Sequence, residues 1–220
     1  MIYMIGGEMF MDEVFNNKDM VYGDDFTPIY ITKQSAEELV TINGIKEKMS
    51  DIRWGLLGNV KNNGCGIIAS YNIMASKSPL ITFEDVLSDI KKRYGAFLAG
   101  LFGVKPWTLY NYLSEKFRFH WKVFFKTEFP SFDAKTQSSN AMIILVKWKG
   151  KLSMHYIAGI WHKNTESDAW FTFYNTGVQG DNHSSADGQP MTIQAFLSLL
   201  KKQGHTVLAL MGFSNKNGAW

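Results

Sequence analysis

The chain has 220 residues, 45% of them hydrophobic and 20% charged, with a formal net charge of +3. That length and balance suit a folded domain with a sizeable core and exclude a disordered chain. The small positive charge sits in scattered pairs such as Lys91 with Lys92 and Lys201 with Lys202, with no basic helix, which argues against a nucleic-acid partner.

Residues 1–34 mix apolar and acidic side chains without a lasting period and read as an irregular extension. From Ser35 the spacing predicts a helix near 35–50: Ser35 and Glu38 stand at capping-box distance, and Leu39, Ile42, Ile45 and Met49 recur at helical intervals. Residues 1–50 are therefore expected to be an N-terminal extension, and 51–220 the main domain. "RWGLLGNVKNNG" reads as a loop, and Cys65 to about Lys77 as a mostly buried helix. A second capping box, Thr82 to Asp85, opens a helix whose apolar face is Phe83, Val86, Leu87, Ile90 and Tyr94, and Pro106 suits the first turn of another. Beyond it, "HWKVFFK", "AMIILVKWK", "LSMHYIAGIW" and "AWFTFYN" are short, β-branched and aromatic, with Gly150 marking a hairpin turn. "MTIQAFLSLLKKQG" predicts a helix closed by Gly204, and "HTVLALMGF" a last strand. Helices followed by a largely antiparallel sheet define an α+β class, and no glycine-rich phosphate fingerprint is present.

Cys65 is the only cysteine, which excludes an intramolecular disulfide and a zinc site built mainly from thiolates. The longest apolar run, "AMIILV", falls far short of the ~20 residues of a membrane helix. The N-terminus lacks a basic leading region and carries Glu8 within its apolar stretch, unlike a secretory signal. The expectation is a cytoplasmic protein with no membrane partner.

Cys65 stands between Gly64 and Gly66 at the head of the predicted buried helix. A helix N-terminus carries about half a positive charge and unpaired N–H groups, which lower a thiol's pKa. The flanking glycines give backbone and substrate clearance near the sulfur. A thiol nucleophile also needs a base, and five histidines are candidates. His155 is the best placed, on a strand just past a hairpin turn. His162 ends the same strand, His183 lies in the loop "QGDNHSSADG", and His120 and His205 begin strands. Asn175 closes the strand expected to pair with that of His155 and is a candidate to orient the ring. Equally, it starts the turn "NTG". For a developing oxyanion the candidates are the Cys65 N–H and the amide of Asn59, six residues earlier, with Asn62 and Asn63 as alternatives. A metal centre from His155, His162, Asp181 and His183 matches no compact ligand spacing, so no metal or cofactor is expected.

Together these residues resemble the papain-like superfamily of cysteine hydrolases, in particular the branch of double-glycine leader peptidases of bacteriocin transporters and similar Firmicutes proteins. The resemblance spans roughly residues 52–215 and rests on Asn59, Cys65-Gly66, His155-Tyr156 and Asn175, in that order. It departs from the branch in two places: Asn59 stands where Gln is usual, and Asn175 where Asp is usual. The resemblance implies a papain-like fold and hydrolysis of a peptide, isopeptide or related amide bond, with a peptide or protein as substrate. It assigns Cys65 as nucleophile, His155 as base, Asn175 as orienting residue and Asn59 as oxyanion donor. A deamidase or acyltransferase would use the same site. A catalytically inactive binding module on the same fold is the alternative.

Overall fold

The computed structural model describes residues 28–94, 103–124, 139–150, 154–162, 170–180 and 185–215. Its first elements correct the helix expected near 35–50. Leu39–Ile42 (β1) and Ile45–Lys48 (β2) form an antiparallel hairpin instead. Asn43 (φ 50°) and Gly44 (φ 74°) are both left-handed, the pairing that an Asn-Gly two-residue turn favours. The supposed helical stripe is not a buried face, since Leu39 is 50% and Ile45 65% exposed. Here the Asn-Gly turn outweighs the capping box. Ile31, Val40 and Met49 share one core with Ile52, Trp54 and the helices that follow.

Within the expected loop, Arg53–Trp54 (β3) pairs with Gly58–Asn59 (β4), and a single turn of helix, Val60–Asn63 (α1), leads to the cysteine. The next three helices match expectation: Cys65–Lys77 (α2), Phe83–Tyr94 (α3) and Pro106–Ser114 (α4). The second capping box is formed in full, with Asp85 N–H donating to Thr82 Oγ1 (3.1 Å) and Thr82 N–H to Asp85 Oδ2 (2.9 Å).

The remaining strands are Phe119–Phe124 (β5), Ala141–Lys147 (β6), Met154–His162 (β7), Trp170–Tyr174 (β8), Pro190–Thr192 (β9) and Thr206–Ser214 (β10), with helix Ile193–Lys202 (α5) before the last. They form one antiparallel sheet in the order β5-β10-β6-β7-β8-β9. β6 explains the layering. A strand covered on both faces needs consecutive apolar residues rather than alternation. Ala141, Ile143 and Leu145 enter the core shared with α2, α3 and α4, whereas Met142, Ile144 and Val146 enter a second core with Ile193, Phe196 and Leu200 of α5. The sheet is thus sandwiched between the N-terminal helices and α5, a mixed α+β arrangement. Among the described residues no helix is long and apolar enough to cross a membrane.

Candidate active site

Cys65 opens α2 directly after α1, with Gly64 as the joint: Gly64 N–H closes on Val60 O (2.8 Å), and Gly64 O accepts from Ile68 (2.9 Å). The glycines here clear space for protein rather than for substrate. A Cβ on Gly64 would collide with the carbonyl oxygen and side chain of Val60. One on Gly66 would press on Leu109 (3.0 Å), Val104 (3.2 Å) and Tyr156 (3.3 Å). This close fit buries the thiol, which is 7% exposed. The expected lowering of its pKa is overturned for the same reason. Burial pushes the Cys65 thiol up, and the main-chain amides of Tyr156, Gly66 and Cys65 itself, which donate toward the sulfur, only partly offset it. At rest Cys65 is a neutral thiol.

The Tyr156 amide ties the cysteine to β7, and the strand geometry explains why it is available. Trp161 donates its N–H to Asn140 on the β6 side (2.9 Å), so alternation turns the N–H of Tyr156 toward the opposite edge. There β8 has already ended, its last pair being Tyr174 with Ala158. That leaves the Tyr156 N–H without a β8 carbonyl and able to donate toward the sulfur. That N–H belongs to the peptide joining His155 to Tyr156, so the structure brings the thiol to the base candidate's own peptide unit.

His155 leaves β7 on the side opposite Tyr156, which packs into the helix-side core. Its ring lies against Trp148 (centroids 5.4 Å) and is fixed by a 2.6 Å hydrogen bond between Nε2 and the main-chain oxygen of Asn175. A carbonyl only accepts, so Nε2 carries the proton and Nδ1 keeps the basic lone pair of the neutral ring. Burial lowers the His155 pKa, opposed by the Asn175 carbonyl and by the negative charge of Asp187. The resting pair is therefore uncharged on both sides.

Asn175 does meet His155, but not through its side chain. It is 3% exposed and left-handed (φ 57°), a conformation Asn tolerates better than most residues. Its N–H donates to Thr32 O (2.9 Å), its Oδ1 accepts from Gln34 N–H (2.9 Å), and its Nδ2 is buried without a partner. The orienting role expected of the side chain thus passes to the carbonyl. An expected result follows: Asn175→Gly, which accepts φ near 57° and keeps that carbonyl, should lower Cys65 reactivity toward an acylating ester by less than about tenfold. Asn175→Val, a β-branched residue for which this φ is a true outlier, should approach the reactivity of a variant without His155. Equal losses in both would restore the role to the side chain.

Asn59 is not brought to the sulfur by any described contact. Its Oδ1 caps α1 by accepting from Asn62 N–H (2.9 Å), and Asn62 and Asn63 form that helix's only turn. Two further histidines have other work: His120 Nδ1 pairs with the Tyr110 hydroxyl (2.7 Å), and His205 Nδ1 accepts from the Lys149 amide (3.2 Å). His183 and Asp181 lie outside the described residues, as does the side chain of His162. Among the described residues no three His, Cys, Asp or Glu side chains converge as a metal would require. Sequence reasoning missed Gln34 and Asp187. Asp187 accepts from Thr176 N–H (2.6 Å) and Ser185 Oγ (2.7 Å), folding its loop beneath the Asn175 turn. The Ser-x-Asp spacing signals a local turn, but nothing in the sequence signals its nearness to His155.

Comparison of the chain with family models, curated proteins and solved structures gives no match. The chemistry is therefore read from the site alone. A buried thiol stands at the peptide of a histidine whose outer nitrogen is tethered and whose inner nitrogen is basic.

Proposed function

We propose that the protein is a thiol-dependent acyl hydrolase of the papain-like kind, acting on a peptide, isopeptide or related amide bond. The observation that supports this reading is the tether on His155: Nε2 is held by the Asn175 carbonyl, so Nδ1 keeps its lone pair, while Cys65 lies by the main chain of Tyr156, the next residue. As Cys65 Sγ attacks the carbonyl carbon, its proton passes to His155 Nδ1 and a thioester forms. The imidazolium returns that proton to the leaving amine. Water, deprotonated by the same nitrogen, then cleaves the thioester and restores the thiol. The Cys65 N–H and the Nδ2 of Asn59 are assigned to the oxyanion, the latter by resemblance to the papain-like pattern. Asp187 stabilises the imidazolium as it forms.

The test is pre-steady-state reaction with 4-nitrophenyl acetate. The expected result is a nitrophenolate burst of one equivalent, with a single acetyl group on Cys65 by mass spectrometry and none in Cys65→Ala. A full-length protein that gives no burst, or is acetylated elsewhere only, overturns the assignment. The depth of the thiol favours the second reading, a binding module that does no chemistry, and absence of the burst is the result that reading expects.

A further inference from the structure

We infer that Gln34 is a positioning residue that locks the cysteine side of the site to the histidine side. This rests on the Cys65–His155 reading above and extends it to a segment that the sequence assigns to an irregular extension. Residues 29–34 cross the molecule as a strap, and its hold is specific. Asn72, fully buried on α2, grips Ile31 through both main-chain groups, accepting from its N–H (2.9 Å) and donating to its carbonyl (2.9 Å). The Tyr71 hydroxyl donates to Ile29 O (2.9 Å), and Tyr30 stacks on Tyr174 with centroids 4.6 Å apart.

At its far end the strap terminates on both halves of the site through one residue. Gln34 N–H donates to Asn175 Oδ1 (2.9 Å), while its Nε2 donates to Val60 O (2.8 Å) and Lys61 O (2.6 Å). Those two carbonyls belong to α1. Val60 O already accepts from Gly64 N–H (2.8 Å), and Gln34 adds a second donor there and one to Lys61 O, across the last turn that leads into Cys65. Since α1 runs through Gly64 into Cys65, the side chain fixes where the nucleophile begins. Its main chain, with Thr32 O, fixes the left-handed Asn175 turn whose carbonyl holds His155. Both ends are tertiary contacts, spanning 26 and 27 residues on one side and 141 on the other, with the Val60 and Asn175 bonds part-buried. A shift of even ~1 Å between nucleophile and base is costly in such a site.

The experiment is a double-mutant cycle on the acetylation rate of Cys65 by 4-nitrophenyl acetate, using the full chain. Gln34→Met keeps the length of the side chain and removes its amide, and with it the donors to Val60 O and Lys61 O. The expected result is about a tenfold slower acetylation, the loss a modest misplacement brings, with the acid limb of the pH profile moving toward the ordinary imidazole range as water reaches the ring. In the His155→Ala background the same substitution should change the rate by less than about twofold, since coupled residues are non-additive. Gln34→Lys, which restores N–H donors, should recover part of the rate. Three results overturn the inference: an unchanged rate and pH profile in Gln34→Met, an equal loss with and without His155, or no recovery in Gln34→Lys. If His155→Ala itself leaves the rate and profile of the parent intact, the base assignment fails and takes this inference with it. A His155 effect without a Gln34 effect refutes the positioning role alone.

Discussion

Replacing His155 by alanine is expected to slow acetylation of Cys65 by about 10²–10⁴-fold, the usual contribution of a positioned general base. The pH dependence gives the stronger signature, and its sign follows from the two burial effects. His155 is lowered from the ordinary 6.5, so it sheds its proton and becomes a base at a pH below that value. Cys65 is raised by burial, so it keeps a proton to give through neutrality. In the parent protein the rate should climb along a limb centred below pH 6.5 and then hold level through neutrality. In His155→Ala both limb and plateau should vanish, leaving a rate that grows only with the thiolate fraction in alkali. Stopped-flow measurement of the nitrophenolate burst across pH checks this. Superimposable profiles for the two proteins would assign proton removal elsewhere.

Phe196→Ala is the substitution expected to cost most stability, about 3–5 kcal/mol, as truncation of a buried aromatic does. Phe196 is fully buried, and its ring stacks on Phe173 of β8 with centroids 3.9 Å apart and planes 9° from parallel. With Ile193 and Leu200 it forms the apolar stripe that seats α5 on the sheet. Against a typical total of 5–15 kcal/mol, a loss of this size takes a large share of the fold's stability. Urea titration should show a lower midpoint with an unchanged slope. A loss under about 1 kcal/mol would mean that α5 is not packed as described. Cys65 and His155 lie off this stripe, so any remaining folded protein should still acetylate Cys65.

The elements that sequence reading found correctly share a property: their local and long-range preferences agree. β6 is apolar without interruption because both faces are covered, and the joint before Cys65 is a glycine because any Cβ there would collide with Val60. Where the two preferences conflict, as in residues 35–50, a two-residue turn outweighs a helical stripe of which Leu39 and Ile45 stay exposed. At the site, Cys65 lies by the Tyr156 main chain, next in sequence to His155, and His155 meets Asn175. What eluded the sequence was which atoms make the contacts. Nothing in "FYNTG" distinguishes an asparagine that works through its side chain from one that works through its carbonyl. Likewise nothing in "TKQSAE" predicts that Gln34 reaches both Lys61 and Asn175, because such bonds are decided by tertiary closure.

The strand order has a consequence for how the chain is made. β10, the last strand in sequence, lies between β5 and β6 rather than at an edge. Synthesis proceeds at roughly 5–20 residues per second, so β6 and β7 can pair as a hairpin early while β5 waits. Until residues 206–214 emerge, β5 and β6 each present an unpaired row of N–H and C=O groups, the kind of edge that recruits other strands. The nascent protein therefore passes through a stage in which its most apolar strand, β6, is both finished and uncovered along one side. Shielding that edge, whether by slow release from the ribosome or by a chaperone, matters more for this topology than for a sheet whose neighbours follow one another in sequence.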